Sequence, residues 1–564
     1  MSPTATVMNR RRASVIAYLS IAILAILSWG TILLAPQALF WDDWVVVNDD
    51  TLRMTRELGL PWIGYVFVGL FALGPWVFKV LVIVATIVVG CTSYEIAGHG
   101  LGLSTRERWL IASFIVSLPL FSTRVLADLS TYSWSIAFFF VAWYLLVRKS
   151  PSTPGRLRYL VAAVLFFISY TTASLLPFTA LPAVHLAYLA TSDGTSFRLS
   201  ISRFIRRFWW LALAPVLFWT VKSIFFQPFG LYENYNQLRL HSDPVSLSAI
   251  AFILIFVFVS LALVYLLAAA YHHREPRWRV VVRACLTVVV ALIALFIYLT
   301  RVSPAPAGTL IAVVLGGCSL VLALSMFANQ FWSRRRIEIS TTSSQFEVIL
   351  ALGILTLALA MIPYLLVGKL PSFVNWETRH QLLMPVGVAI IIVAALRALG
   401  VFAPTPAVRI VAVSLLTLFV LGSLSVSLSL VADWHKQMQV ASALRKEPLV
   451  RGASTVVFSD LAPSLNFDAR TYSFYEYTGW LWTAYGDHSR LGIDRTYVSS
   501  FIRGDLDPLN YAASRYGFAD YVPSPDAVLV QILPVKNASW LGLLADQTSI
   551  TLKVTPIHDL SGFH

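Results

Sequence analysis

The sequence predicts an α-helical polytopic membrane protein of about 13 transmembrane helices, with a small extracytoplasmic α/β domain at the C-terminus. Three observations indicate this fold class. Of the 564 residues, 58% are apolar and 12% are charged, and the mean hydropathy is +0.74. The apolar residues gather in runs long enough to cross a bilayer, which takes about 20 residues. Charged residues, Asn and Pro return after residue 431.

Apolar runs of spanning length lie near 14–35, 76–97, 132–147, 208–226, 247–270, 281–300, 308–330, 346–367, 381–398 and 409–431. A shorter run at 111–121 fits one arm of a hairpin with the run at 132–147. The stretch 159–190 is too long for one helix and contains Pro177 and Pro182. We therefore expect it to break near 169–173 and to form two spans. No small-residue cleavage site follows the first run, which favours a retained signal anchor.

The positive charges support this division. With the N-terminus in the cytoplasm, the inner segments carry 22 of the 42 Lys and Arg residues, and the outer loops before residue 431 carry nine. An excess of Lys and Arg is typical of cytoplasmic loops. The chain then divides into a transmembrane module, 1–431, and an extracytoplasmic domain, 432–564, on the same side as the loop 36–75. Short charge clusters between apolar runs also explain the net charge of +14 without a nucleic-acid partner.

The three cysteines, Cys91, Cys285 and Cys318, all lie in apolar runs. None is placed to form a disulfide in an external domain. Their spacing matches no metal-binding motif, so no metal site is assigned to them.

Two adjacent carboxylates in the loop 36–75 are the principal candidate for a functional site. Asp42 and Asp43 follow the first apolar run and lie between Trp41 and Trp44. Tryptophan favours the membrane–water interface, and carboxylates held there tend to be paired, hydrated or functional. The pattern predicts either a catalytic pair, with Trp44 as a candidate substrate contact, or a hydrated loop start or helix cap.

The same loop contains a predicted helix, Thr51–Leu58, which Asn48 or Asp49 would cap. Its partly apolar side would suit the membrane surface. Asp49 or Asp50 could complete a divalent-cation site with the carboxylate pair, although nothing in the sequence requires a metal.

A second outer segment, Trp376-Glu-Thr-Arg-His380, leads into a predicted helix. Arg379 lies at an outer helix start, against the charge rule, so it should have a partner. A guanidinium makes bidentate contacts to phosphate, which suits Arg379 to an anionic substrate, with His380 in support. The alternative is an arginine that extends to the interface and pairs with Glu377.

Further candidate substrate contacts lie in two other outer segments. Arg124 and Asp128 are spaced i, i+4, so a local ion pair at a hairpin tip is the structural alternative. Tyr232 lies in the polar loop 227–246, where a solvated position is the simpler interpretation.

The tail is predicted to form a disulfide-free α/β domain with strands at 454–459, 527–533 and 549–556. Seven aromatic residues lie between Tyr472 and Tyr485. Aromatic faces stack on sugars, and Asp487, His488 and Asp494 could bind hydroxyl groups. Alternatively, the aromatic residues form the core of the domain.

In its architecture, the chain resembles the GT-C glycosyltransferases, integral membrane enzymes that use lipid-phosphate-linked sugars. The shared features are a long first external loop with an acidic pair, about 13 spans and an extracytoplasmic C-terminal domain. The superfamily includes arabinosyl-, mannosyl- and glucosyltransferases of the bacterial cell envelope.

The resemblance implies a mechanism and a cellular location. The catalytic base falls on Asp42 or Asp43, with Asp43 preferred, and Asp128 fits the acidic residue of a later loop. Arg379 and His380 correspond to the segment that contacts the lipid phosphate. The donor would be a polyprenyl-phosphate sugar and the acceptor an envelope glycan or glycolipid. Transfer would invert the anomeric carbon, on the outer side of the bacterial cytoplasmic membrane.

Two other classes of function stay open. A transporter or flippase of a lipid-linked saccharide would have internal repeats and ionisable residues at mid-membrane, and the sequence shows neither. The other class is a non-catalytic membrane protein of envelope assembly.

Overall fold

The computed structural model describes residues 3–47, 51–99, 103–148, 155–191, 197–233, 343–402 (apart from 366, 368, 370, 371, 373 and 374), 405–498 and 527–557. The predicted spans at 247–270, 281–300 and 308–330, and most of the loop 227–246, lie outside these residues. Asn48, Asp49, Asp50, Cys285 and Cys318 also lie outside them.

Most of the described chain is helical. The helices before the 234–342 gap are α1 (Pro3–Trp29), α2 (Asp43–Val46), α3 (Thr51–Glu57), α4 (Pro61–Phe71), α5 (Trp76–Ile96), α6 (Thr105–Ser117), α7 (Ser130–Val147), α8 (Gly155–Ser169), α9 (Leu175–Phe178), α10 (Ala180–Thr191) and α11 (Phe197–Phe225). After the gap come α12 (Ser343–Leu365), α13 (Met384–Phe402), α14 (Thr405–Leu444), α15 (Pro448–Gly452), α16 (Phe474–Tyr485) and α17 (Trp540–Leu544).

Five described segments are long and apolar enough to cross a membrane: Ser14–Leu34, Trp76–Ile96, Ser130–Val147, Ile205–Phe225 and Thr405–Leu444. Each coincides with a run predicted from the sequence. Apolar side chains also cover the outside of these helices, as at Ile16, 67% exposed, and Ile410, 66% exposed. A helix that is apolar on its outer side suits lipid rather than water. The chain is therefore a polytopic membrane protein.

Helices α1, α6 and α7 pack around α5. Helix α1 lies against α5, α6 and α14, while α7 lies between α5 and α8. The expected hairpin of 111–121 with 132–147 is corrected in one respect, because α6 and α7 both pack on α5 rather than chiefly on each other. The expected break near 169–173 agrees with the end of α8 at Ser169.

Helix α14 joins the membrane part to the tail. Its 40 residues give a length of about 60 Å, roughly twice the thickness of the hydrocarbon core. Its C-terminal part carries the buried polar residues Asp433, Lys436 and Gln437 beneath the tail. The boundary predicted at 431/432 thus falls inside one continuous helix.

The tail contains a four-stranded sheet in the order β2-β1-β3-β4. Its strands are β1 (Thr455–Asp460), β2 (Leu491–Asp494), β3 (Ala527–Pro534) and β4 (Ile550–Ile557). Strand β1 pairs in parallel with β2 and β3, and β4 pairs antiparallel with β3. The three predicted strands are present, and β2 is the one that the sequence did not predict.

The aromatic stretch of the tail is mainly core. Tyr472, Tyr477 and Trp480 are at most 1% exposed, and the Tyr477 ring stacks on Phe458 with 4.5 Å between centroids. The O–H of Tyr477 donates to Asp494, whereas Asp487 pairs with Arg490 outside this core. Of the two alternatives that the sequence left open, the core interpretation is therefore correct for these three rings.

The short helix α3 also differs from expectation. Met54 is buried with Val457, Leu491 and Ile493 of the tail. Its apolar side therefore packs on the C-terminal sheet instead of lying on the membrane surface. This contact brings α3 of the loop 36–75 against the tail.

Candidate functional site

Asp43 anchors the segment Leu39–Val47, called the acidic loop below. Its side chain is fully buried. The backbone N–H of Asp128 donates to Oδ1 of Asp43 at 2.8 Å, and the N–H of Phe40 donates to Oδ2 at 3.2 Å. A carboxylate that accepts several backbone N–H groups fixes the chain segments that supply them. Asp43 thereby ties the acidic loop to the turn before α7.

Lys79, near the start of α5, holds the chain just before the acidic loop. Its Nζ is buried and donates to the carbonyl oxygens of Ala38, at 2.8 Å, and Pro36, at 3.2 Å. Its positive charge also lowers the pKa of Asp43, against the effect of burial. The sequence carried a signal for this residue, since a charge four residues into an outer helix end is unusual, although Lys79 was not among the predicted site residues.

Three carboxylates and one guanidinium interact at this place. Burial raises the pKa of Asp43 to about 6, although the N–H donors and Lys79 oppose the shift. Burial, followed by the charges of Asp42 and Asp43, raises the pKa of Asp128 to about 8, and Arg379 opposes it. Like-charged neighbours in a partly desolvated place cannot all ionise readily. The neighbouring carboxylates thus add to the effect of burial on Asp128, and the pKa of Asp128 is raised more than that of Asp43.

Exposure distinguishes the three acids. Asp42 and Asp128 are half-buried, whereas Asp43 has no exposed surface. Both oxygens of Asp43 are engaged by backbone donors. Asp42 and Asp128 are thus the more exposed residues of the three.

Arg379 comes from the 3-10 helix Asn375–Gln381, which precedes α13. This helix packs on the 3-10 helix Ser122–Val125 through Thr378, whose hydroxyl lies 3.0 Å from that of Ser122. The Arg379 guanidinium lies over the Trp376 ring, 4.6 Å from its centroid. Among the described carboxylates, none comes within 4.0 Å of this guanidinium. The pairing with Glu377 is therefore absent, and Glu377 is exposed.

His380 follows on the same 3-10 helix. It is buried, with its ring 5.6 Å from that of Tyr364. It can support Arg379 by fixing this short helix against α12.

The expected pair of Arg124 with Asp128 is wrong. Arg124 is buried, with its guanidinium 4.6 Å above the Trp29 ring, and its Nε donates to the carbonyl of Phe121 at 3.1 Å. The four-residue spacing suggested a helical pair, but Asp128 follows a 3-10 turn that ends at Val125. The guanidinium whose charge reaches Asp128 is that of Arg379.

Two other candidates lie in different surroundings. Trp44 is buried, with its ring 6.0 Å from that of Trp434, and it packs directly on the backbone of Gly479 in α16. Tyr232 lies in the 3-10 helix Gly230–Tyr232, which packs on α3. Trp44 therefore joins the acidic loop to the tail, and Tyr232 belongs to the α3 side of the molecule.

The tail contacts the acidic loop through buried charges that the sequence analysis missed. Oε1 of Glu476 accepts the backbone N–H of Trp41 at 3.1 Å. Arg470 pairs with Glu476 at 2.8 Å and with Asp433 at 3.0 Å. No sequence signal pointed to these contacts, because residues 41 and 476 are far apart in the chain.

An apolar cavity of about 350 Å³ lies against the N-terminal part of α7, where Thr131 lines it. It is lined by Trp62, Ile63, Val66, Thr131, Trp134, Ser135, Phe138, Phe167, Ile168, Thr171, Phe218, Val221, Lys222 and Phe226. Among the lining residues, Thr131 donates from its hydroxyl to the carbonyl of Asp128 at 3.4 Å. An open apolar cavity between α4, α7, α8 and α11 suits a hydrocarbon chain.

Within the described ranges, no group of three or more His, Cys, Asp or Glu side chains is arranged to hold a metal ion. Asp49 and Asp50, the further ligands considered from the sequence, lie outside these ranges.

No protein-family model matches the sequence. No curated protein matches it either. Among solved structures, the chain is similar to ArnT from Cupriavidus metallidurans bound to undecaprenyl phosphate, with 13% identity over 97% of this chain and 98% of that chain, and a TM-score of 0.31. At this identity and TM-score, the similarity assigns neither a family nor an activity to the chain.

Proposed function

We propose that this protein is a membrane glycosyltransferase of the GT-C kind. It moves a sugar from a polyprenyl-phosphate donor to a glycan or glycolipid acceptor of the cell envelope, on the outer side of the bacterial cytoplasmic membrane. The observation that carries the proposal is that Asp42, Asp43 and Arg379 all lie within electrostatic range of Asp128. An open apolar cavity begins at Thr131, three residues after Asp128. The carboxylates and the guanidinium are the groups needed to deprotonate a hydroxyl and to bind a lipid phosphate.

Asp42 is the catalytic base in this proposal. It is half-buried and follows directly on the strained Trp41, whereas Asp43 is fully buried and bound to backbone donors. The sequence alone favoured Asp43 for this role. With the base on Asp42, Asp43 becomes the residue that holds the acidic loop against Asp128.

The reaction is a single displacement. The acceptor hydroxyl oxygen forms a bond to the anomeric carbon while its proton passes to Asp42. The bond from that carbon to the phosphate oxygen breaks, and its electron pair leaves with the polyprenyl phosphate. Attack from the opposite face inverts the anomeric carbon.

Arg379 balances the charge on the departing phosphate. Its guanidinium lies over the Trp376 ring without a carboxylate within 4.0 Å among the described residues, so its donors remain available to phosphate. His380 supports the same 3-10 helix. The polyprenyl chain occupies the cavity between α4, α7, α8 and α11.

The decisive experiment is a transfer assay in reconstituted bilayers. A panel of radiolabelled polyprenyl-phosphate sugars is offered with envelope glycan fragments to the wild type, to Asp42→Asn and to the control Asp487→Asn, which changes an exposed carboxylate paired with Arg490. We expect transfer by the wild type and the control, and none by Asp42→Asn. Normal transfer by Asp42→Asn would contradict the proposed base. Movement of the donor across the bilayer without product would favour a transporter.

A further inference from the structure

Trp41 has a strained backbone at the point where the acidic loop begins. Its φ is +46°, in the left-handed region that a bulky residue rarely adopts. Such a conformation persists only where the surroundings hold it. Because Asp42 and Asp43 follow directly, the conformation of Trp41 sets the direction in which the chain carries both carboxylates.

The C-terminal domain holds this strained residue at two points. The Trp41 backbone N–H donates to Oε1 of Glu476, which is fully buried. The Arg470 guanidinium lies 4.1 Å from the centroid of the Trp41 ring. A buried hydrogen bond to a charged acceptor and a desolvated cation–π contact are both stronger than their exposed counterparts.

Glu476 and Arg470 are themselves fixed. Oε2 of Glu476 accepts from Nη1 of Arg470 at 2.8 Å and from the N–H of Ser473 at 2.9 Å, where it forms the capping box of α16. Arg470 also pairs with Asp433 on α14. The two side chains that hold Trp41, Glu476 and Arg470, are thus connected through Asp433 to α14, which continues into the membrane part.

The other neighbour of Trp41 leads to the proposed phosphate site. The Trp41 ring lies 5.7 Å from that of Trp376, and Trp376 carries the guanidinium of Arg379 on its face. Trp41 is therefore linked to both parts of the proposed site. It precedes Asp42 and Asp43 in the chain, and its ring packs on the Trp376 ring that carries Arg379.

We propose that Glu476 and Arg470 of the C-terminal domain are positioning residues which, by clamping Trp41, set the place of the acidic loop relative to Arg379. The catalytic meaning of this role rests on the proposed glycosyltransferase function. Oε2 of Glu476 already bonds to Arg470 and Ser473, which is enough to hold Glu476 within its own domain. The second oxygen, Oε1, binds Trp41, so this bond serves the acidic loop rather than the domain. The tail accordingly contributes to the site itself, in addition to any contact with the acceptor.

The test uses the full-length protein in bilayers and the variant Glu476→Gln, which keeps the shape of the side chain but removes its charge. The matched control is Thr478→Val on the same helix, which removes a buried bond between the Thr478 hydroxyl and the N–H of Gly492. A third variant, Trp41→Phe, removes the larger ring but leaves the backbone N–H. Amide hydrogen exchange of the segment 40–47 and the steady-state transfer rate are measured for all three.

We expect faster exchange of the segment 40–47 in Glu476→Gln than in Thr478→Val. We also expect kcat to fall by about 10- to 100-fold in Glu476→Gln and Trp41→Phe, because small displacements of reacting groups have effects of this size. The binding of undecaprenyl phosphate should not change in Glu476→Gln. Equal exchange of segment 40–47 in Glu476→Gln and Thr478→Val would overturn the positioning role. A wild-type protein without transfer would overturn the proposed function, while the exchange result would still decide whether Glu476 holds the acidic loop.

Discussion

Oδ1 of Asp43 accepts the backbone N–H of Asp128 at 2.8 Å, so a buried carboxylate of one loop fixes the position of a half-buried carboxylate in another. The two residues are 85 positions apart in the chain. This contact places Asp128 within the electrostatic reach of Asp42 and Arg379. It accounts for how acids from separate loops come to form one site.

This relationship predicts different results for the two adjacent aspartates. Both oxygens of Asp43 accept a backbone N–H, and Asp43→Asn turns one of them into an NH2 group, which leaves that buried N–H without an acceptor. The free energy of unfolding should therefore fall by about 1–3 kcal/mol. Asp42→Asn should reduce kcat by about 10²- to 10⁴-fold, the range for loss of a general base. Thermal unfolding in detergent and single-turnover transfer measure the two effects. A loss of stability in Asp42→Asn with full stability in Asp43→Asn would reverse the assignment.

The transfer rate should depend on pH through Asp43. Its pKa is raised to about 6, mainly by burial, so it is ionised above that pH and protonated below it. The ionised form is the better acceptor for the N–H groups of Phe40 and Asp128, so transfer should fall as the pH drops through about 6. The measurement is a rate profile from pH 5 to pH 8. The same midpoint in Asp43→Asn would show that another group controls the rate.

Arg379→Gln should weaken the binding of the lipid donor. A charge-assisted hydrogen bond contributes about 1.5–3 kcal/mol, which corresponds to roughly 10- to 100-fold in the dissociation constant. The control is Arg397→Gln, since Arg397 lies on α13 and pairs with Glu107, at 3.5 Å, rather than with Asp42, Asp43 or Asp128. Binding of undecaprenyl phosphate in nanodiscs reports the effect. Equal affinities for the Arg379 and Arg397 variants would remove Arg379 from the phosphate site.

The cavity predicts a dependence on the length of the lipid. Thr171 lines it, and Thr171→Trp should fill part of its volume of about 350 Å³. Donors with long polyprenyl chains should then lose affinity, while donors with a short chain keep theirs. Val164→Trp is the control, because Val164 lies on α8, shortly before Thr171 in the chain, is 49% exposed and does not line the cavity. If donors with long and short chains lost the same affinity, the cavity would not bind the polyprenyl chain.

The membrane helices could be predicted because their signal is local. Runs of apolar residues at spanning length are visible without knowledge of the fold, and all five described spanning segments coincide with predicted runs. The same local logic located Asp42 between two tryptophans and Arg379 at an outer helix start. The four-residue β2 was missed, because so short a strand carries little pattern.

The contacts that assemble the site could not be predicted in this way. The bond between Trp41 and Glu476 joins positions 435 residues apart, and neither residue has a local feature that indicates the other. The pairing of Arg124 with Asp128 was predicted wrongly, because i, i+4 spacing brings side chains together only in an α-helix. The backbone between them ends a 3-10 turn and becomes extended at Leu126. The aromatic stretch was likewise ambiguous, since composition does not distinguish a buried ring from an exposed one.

The most direct test of the central claim is an experimental structure of the protein with a bound polyprenyl phosphate. The account predicts that the phosphate lies against the Arg379 guanidinium, on the side of Asp42 and Asp128, with the polyprenyl chain in the cavity lined by Thr131 and Thr171. A phosphate bound away from Arg379, or a chain bound outside that cavity, would contradict it.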